Sequence, residues 1–342
     1  MVITVPDPER RLRRVRLVQE LWRPRFGPDF ARAGENGTWE LALAPPPVDR
    51  IEYQLELTGP DGRVEIVCDP ENPRRARGPF GEKSVVELPG YRPPAWIAAD
   101  APPGRTRTVN VTSRTLRADV PVTVWSPEGM RARRPHPLLV AHDGPEYAEY
   151  SGLLYFLAAG CATGELPLLR AALVPPVERN RDYSASARYS RALAREILPR
   201  LEPVAPTEGG ASGRAGMGTS LGALAMLHAH RTYPDVFGGL FLQSGSFFRQ
   251  RYDGHERDFP HFRRISRFVG RVLAGGDRTR IRVAMTCGTA EENVANNRAV
   301  AAALTHQGYD IRLDLVRDAH NWVAWRDAFE PHLRAFLQRL WG

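Results

Sequence analysis

Lysine is almost absent from this chain: Lys83 is the single lysine among 47 Lys and Arg residues. An arginine surplus of that kind is more easily explained by GC-rich coding than by a nucleic-acid ligand. No helix-turn-helix, RNP or zinc-finger pattern accompanies it, so nucleic acid is not an expected partner. Cysteine is scarce too. Cys68, Cys161 and Cys287 are odd in number and lack C-x-x-C spacing, which argues against a disulfide framework and a zinc site and points to free thiols. No stretch approaches the ~18 consecutive apolar residues of a membrane helix. The first 22 residues scatter charge and offer no apolar core ahead of a small-residue cleavage site. A soluble, cytoplasmic protein without a membrane partner is the expectation.

What is present is ample core. With 342 residues, 42% hydrophobic and 25% charged, the chain has room for two domains, one of them large. The formal charge of +8 is uneven: the first 100 residues hold 15 basic against 16 acidic side chains, and the remainder holds 32 against 23. Arg249 to Arg282 concentrates ten arginines against four acids, a stretch that suits an anionic substrate or, more simply, a solvated helix face.

Residues 1–104 read as strands. Ile51, Tyr53, Leu55 and Leu57 alternate with polar residues, and Gly59-Pro60-Asp61-Gly62 turns the chain into RVEIVCD, predicting a hairpin with one buried face. Thr38–Leu41 before it and Ser84–Leu88 after it complete the pattern of a small β-sandwich. The proline-rich stretch from Tyr91 to Gly104 reads as a linker. Residues 105–342 alternate strands and helices. PLLVAHDG, ALVPPV, GRAGMGTS, GLFLQSGS, RIRVAMTCG and IRLDLVRDA look like buried parallel strands, and the segments between them carry apolar residues at helical spacing. The last helix is expected to run through WVAWRDAFEPHLRAFLQRLW. The fold class is therefore α/β, a doubly wound, mostly parallel sheet.

Gly218-Thr219-Ser220-Leu221-Gly222 fits G-x-S-x-G between an apolar strand and a helix of small residues. A strand-to-helix elbow lifts a serine hydroxyl above the sheet, and only glycine tolerates the crowding on either side. Serine is a poor nucleophile without a base. His320, immediately after the last strand in DAHNW, is the best placed of nine histidines. The acid should follow the preceding strand, where Glu291, or alternatively Glu292, offers a carboxylate to orient the imidazole. The Leu221 N–H supplies one oxyanion donor. Pro145 has no N–H, so Gly144 or Glu146 supplies the second.

With these residues placed, the sequence resembles the enterochelin (ferric-siderophore) esterase branch of the α/β-hydrolases. LLVAHDGPEY, GMGTSLGALAMLHAHRTYPDVFGGLFLQSGSFF, CGTAEENVANNRAVAAAL and DAHNWVAWRDAF carry the resemblance, which covers most of the chain. It implies an N-terminal β-sandwich, a Ser220-Glu291-His320 triad, cleavage of esters or lactones through an acyl-enzyme, and neither metal nor cofactor. The implied partner is a small-molecule ester substrate, of which an anionic ferric siderophore is the sharpest guess. Feruloyl or acetyl esters, and acyl transfer, use the same triad. A different class of function, a carbohydrate- or partner-binding module on a degenerate hydrolase, would place the activity in residues 1–104. Asp143, Arg181 and Tyr183 are the expected substrate contacts. Asn321 stands where the family tends to have aspartate, and Pro145 where related enzymes use an N–H.

Overall fold

The computed structural model describes residues 1–22, 29–34, 36–276 and 279–342. Asp277 and Arg278 of the arginine-rich stretch lie outside the described residues. Two compact units are present. The first comprises Met1–Arg92, Gly288–Glu292 and Val316–Ala324; the second comprises Pro93–Cys287, Asn293–Leu315 and Trp325–Gly342.

The first unit is built on two antiparallel sheets. One has β1 (Val2–Val5), β3 (Ala31–Ala33) and β4 (Thr38–Ala42) in the order β1-β4-β3. The other has β2 (Arg14–Gln19), β5 (Arg50–Thr58), β7 (Arg75–Gly78) and β8 (Gly81–Glu87) in the order β2-β5-β8-β7, with β6 (Val64–Val67) paired to β5. Period-two alternation directs Ile3, Val5, Trp39 and Leu41 of the first sheet and Val15, Leu17, Tyr53 and Leu55 of the second into one core. The expected β5–β6 hairpin forms, with Thr58 opposite Val64. Its second strand buries no face, since Val64 and Ile66 stay more than half exposed.

The second unit carries an eight-stranded sheet. Its strands are β9 (Arg105–Ser113), β10 (Ala118–Ser126), β11 (Leu138–His142), β12 (Arg170–Val174), β13 (Arg214–Thr219), β14 (Gly239–Gln243), β15 (Arg282–Gly288) and β16 (Asp310–Val316). Their order is β16-β15-β14-β13-β11-β12-β10-β9. β12, β11, β13, β14 and β15 pair parallel, whereas β9 and β10 form an antiparallel margin. All five residues of each of β11, β12 and β14 are buried, which is why these strands read as continuous apolar runs.

The helices that cover the sheet are α1 (Gly144–Tyr150), α2 (Leu153–Thr163), α3 (Arg179–Tyr183), α4 (Ala187–Ala192), α5 (Leu198–Leu201), α6 (Leu221–Thr232), α7 (Phe262–Ala274) and α8 (Val294–His306). The expected long terminal helix is broken into α9 (Trp322–Asp327) and α10 (Arg334–Trp341). Pro331 is the cause. It disfavours helical geometry at the residue before it, and Glu330 is extended at φ −115°, ψ 122°.

Chain order reverses at β11, which lies between β12 and β13. In open α/β sheets ligands bind at the carboxyl ends of the strands beside such a switch point. The end of β13 is where Ser220 lies.

Candidate active site

Ser220 leaves β13 at φ 54°, ψ −121° and α6 begins at the next residue. A positive φ on a non-glycine residue costs on the order of 1–3 kcal/mol and persists only where the surroundings enforce it. Here they do. The Ser220 N–H donates to Gln243 O at 2.9 Å, and its carbonyl accepts from Leu224 N–H at 3.2 Å and Ser246 N–H at 3.1 Å. The motif's glycines have separate reasons. A Cβ on Gly218 would lie 2.5 Å from the backbone carbon of Gly222, so any side chain there collides with main chain. A Cβ on Gly222 would stand 3.3 Å from both Asp143 Oδ2 and His142 Cβ, which is tight but not closed. Leu221 opens α6, so its N–H has no intrahelical acceptor and the positive end of the helix dipole adds to it.

The loop after β14 completes the surroundings of Ser220. Ser246 Oγ lies 3.0 Å from Ser220 Oγ. Ser244, at φ 49°, accepts from Trp325 Nε1 at 2.9 Å, and Asn297 brackets Gly245 by accepting its N–H and donating to its carbonyl, each at 3.0 Å. Sequence reasoning passed over Ser246. Its position at the carboxyl end of a buried strand beside the elbow strand was the available signal.

The β11–α1 connection shapes the floor. Asp143 adopts φ 49°, and its N–H donates to Tyr183 Oη at 3.1 Å. Asp143 and Tyr183 were expected to touch substrate, and the structure gives them another place. The Asp143 carboxylate is buried and accepts from Arg179 Nε at 2.9 and 3.1 Å and from Nη2 at 2.8 Å. Tyr183 is fully buried and stacks on the His142 ring with centroids 4.6 Å apart. Both side chains are used up in packing beneath the elbow. Arg179, which the sequence reading did not single out, is the cation of that arrangement; the run Glu178-Arg179-Asn180-Arg181 was its only signal. Arg181 keeps 36% of its side-chain surface open, with Nε on Asp182 at 2.9 Å. Its short helix is fixed at the start by reciprocal caps: Glu178 Oε1 accepts the Arg181 N–H at 3.1 Å, and Asp182 Oδ2 accepts the Glu178 N–H at 2.9 Å.

Burial pushes the His142 imidazole down to about 3, partly offset by its contact with Gly222 O. His142 is therefore neutral, and Nδ1–H donates to that carbonyl at 3.1 Å. Gly144 is equally confined, since a Cβ there would lie 2.3 Å from Leu173 Cα. Glu146 is half-buried, with its pKa raised by burial and held back by a hydrogen bond from its own N–H.

In the first unit, Glu291 and His320 meet. Glu291 is 1% exposed; Oε1 accepts the Gly288 N–H at 2.8 Å and Oε2 lies 2.8 Å from His320 Nδ1. That contact places the proton on Nδ1 and leaves Nε2 as the acceptor, the tautomer a general base needs. Burial lowers the imidazole pKa, but the charge and hydrogen bond of Glu291, helped by Glu20 and Glu292, more than compensate and raise it above 6.5. Glu292 is half-buried, and the 2.8 Å contact with the ring belongs to Glu291. Asn321, the departure noted in the sequence, caps α9: Oδ1 accepts the Ala324 N–H at 2.8 Å and Nδ2 donates to Asp318 Oδ1 at 3.0 Å.

A parallel sheet with a serine elbow at its switch point defines the class as the α/β-hydrolase type. The profile of the family described as "Putative esterase" matches residues 113–336, and the chain belongs to that family. Within it the chain is similar to iron(III) enterobactin esterases. It is 25% identical over 268 residues to that of Escherichia coli O6:H1, covering 77% of this chain and 65% of the relative. It is 24% identical over 308 residues to that of Escherichia coli K12, covering 85% and 74%. The chain thus spans just under two thirds of the former's length. The crystal structure of enterochelin esterase from Shigella flexneri superposes with a TM-score of 0.78 at 20% identity, over 100% of this chain and 93% of that one. A ferric enterobactin esterase from Salmonella typhimurium gives 0.78 at 22% identity, over 99% and 93%. These likenesses establish a shared fold.

Proposed function

We propose that the protein is a serine carboxylic-ester hydrolase in which Ser220 attacks the carbonyl, His320 takes and returns the proton through Nε2, Glu291 holds the imidazole and water resolves the acyl-enzyme. The observation that carries this reading is the strained backbone of Ser220, enforced by three hydrogen bonds between two glycines of a strand-to-helix turn. Strain maintained at one partly buried serine marks function rather than stability. The oxyanion donors are the N–H groups of Leu221 and Gly144. The Glu146 N–H is the alternative second donor. Arg181, partly open at the carboxyl side of β12, is the candidate contact for an anionic substrate.

The substrate class follows from the named relatives: a siderophore ester or lactone of the enterobactin type. We assign residues 1–104 to an N-terminal β-sandwich domain and 105–342 to the catalytic domain. The location proposed is the cytoplasm; no helix among the described residues is long and apolar enough to cross a membrane. The test compares wild type with Ser220→Ala on p-nitrophenyl acetate, then wild type on ferric enterobactin, methyl ferulate and an acetylated sugar. Loss of several orders of magnitude in a folded Ser220→Ala protein, with preference for the siderophore, is the expected result. Equal rates for the two proteins would remove Ser220 from the mechanism.

A further inference from the structure

His320 is held by a carboxylate two residues before it. Asp318 Oδ1 accepts the Ala319 N–H at 2.7 Å and Asn321 Nδ2 at 3.0 Å, so one oxygen fastens the residues on both sides of the histidine. The Asp318 carbonyl also accepts the N–H of Ala290, the residue before Glu291, at 3.3 Å. One residue therefore ties down both loops of the acid–base pair.

Its other oxygen faces a distant part of the sequence. Arg50, at the start of β5 and 3% exposed, puts Nη1 3.6 Å from Asp318 Oδ2 and donates through Nη2 to Glu52 Oε1 at 3.2 Å. The guanidinium also lies 5.5 Å from the centre of the Tyr91 ring. The backbone follows the same path: Asp49 N–H donates to Arg317 O at 2.7 Å and Trp22 N–H to Ala290 O at 2.8 Å. Leu21, Val48 and Ile51 share a small core with Ala290 and Ala319.

Burying one cation with two carboxylates is a poor way to gain stability, because the desolvation of the ions offsets their attraction. It does fix geometry, and a base that must meet a hydroxyl within hydrogen-bond reach needs that. We propose that Arg50 and Asp318 are positioning residues for His320: the arginine of β5 orients the Asp318 carboxylate, which sets the imidazole against Glu291. This rests on the reading of His320 as general base. Burial raises Asp318 to about 7, with Arg50 and the hydrogen bonds of Ala319 and Asn321 pulling it down and Glu52 pushing it up. Glu52 is itself raised by burial, with Arg50 and Lys83 opposing and Glu20 adding to the rise. Without Arg50 both carboxyls would be raised further, and Asp318 once protonated would hold its donors less firmly.

The experiment uses the full chain with Asp318→Asn, Arg50→Met, Arg50→Lys and Ser220→Ala, each checked by circular dichroism. It measures kcat and KM for p-nitrophenyl acetate against pH, and the His320 imidazole titration by NMR. Asp318→Asn keeps volume, Oδ1 and the Arg50–Glu52 pair, so it decides the matter if Arg50→Met fails to fold. The expected result is a kcat lowered about 10- to 100-fold in Asp318→Asn and Arg50→Met, with KM within about twofold. Arg50→Lys should recover part of the loss, since it keeps charge but not the planar fork. In Asp318→Asn the His320 midpoint should fall toward 6.5 as its pairing with Glu291 loosens. Wild-type kcat and titration in folded Asp318→Asn, beside an inactive Ser220→Ala, would overturn the positioning role alone. An active Ser220→Ala would overturn the hydrolase reading and this inference with it.

Discussion

Glu291 Oε2 and His320 Nδ1 stand 2.8 Å apart, and the other oxygen of the same carboxylate is held by the Gly288 N–H. The acid is thus immobilised at one oxygen and spends the other on the imidazole. Removing only its charge should cost catalysis much more than folding. Glu291→Gln is expected to lower kcat/KM about 10³- to 10⁴-fold, as when a triad acid is replaced by its amide. Glu292→Gln should cost less than about tenfold. Steady-state kinetics on one chromogenic ester separates the two, and the reverse order would move the acid to Glu292.

The pH dependence has a definite sign. His320 must be neutral to act as base, and its pKa is raised above 6.5 because Glu291 outweighs burial. The rate should therefore fall as pH drops through a midpoint above 6.5, and Glu291→Gln should move that midpoint down. The same raised value stabilises the fold below pH 6.5, and this contribution is lost as pH rises through the folded pKa. A kcat/KM profile whose acid limb lies below 6.5 in the wild type would contradict the pairing.

The two glycines of the elbow should not be equivalent. Gly218→Ala forces a Cβ onto main chain at 2.5 Å, whereas Gly222→Ala meets its nearest atoms at 3.3 Å. Thermal melts should show Gly218→Ala destabilised by roughly 1–3 kcal/mol or more and Gly222→Ala by less. Equal melting temperatures would mean that the elbow relaxes.

Arg179 and Asp143 form a pair in which only the carboxylate is deeply buried. Arg179→Met leaves that charge without its cation and should cost about 3 kcal/mol. Adding Asp143→Asn should restore part of the loss. Additive losses in urea titrations would rule out the coupling.

Acid should weaken the fold through three buried histidines. Burial pushes His142 down to about 3 and His228 and His230 to about 4. The unfolded chain binds protons near 6.5 and the folded one does not. Their stabilisation is therefore complete above pH 6.5 and lost as pH falls toward 4. Between pH 6 and 5, His230→Gln should flatten the stability curve by about 1.4 kcal/mol per pH unit. An unchanged slope would show that His230 is protonated in the fold.

What local pattern encodes was readable in advance. The buried strands announce themselves because both faces are covered, and the elbow does so because Gly218 answers to main chain four residues on, although Gly222 answers to the distant Asp143 and His142. The break at Pro331 was also written locally, but helical spacing continues across it and masked the stop. Asp143 and Tyr183 were assigned to substrate because they end strands or follow them; burial beneath α6 depends on Arg179 and His142, which no local pattern pairs with them.

The sequence by itself determined the α/β class and the strand-to-helix elbow at Ser220, and it placed a carboxylate and a histidine after successive strands, since each follows from neighbours within a few residues. Only the tertiary structure decided that Glu291 rather than Glu292 meets the imidazole, and that Arg50 and Asp318 come together beside the loop of His320. Those choices depend on which charges share a buried volume, and distance along the chain carries no information about that.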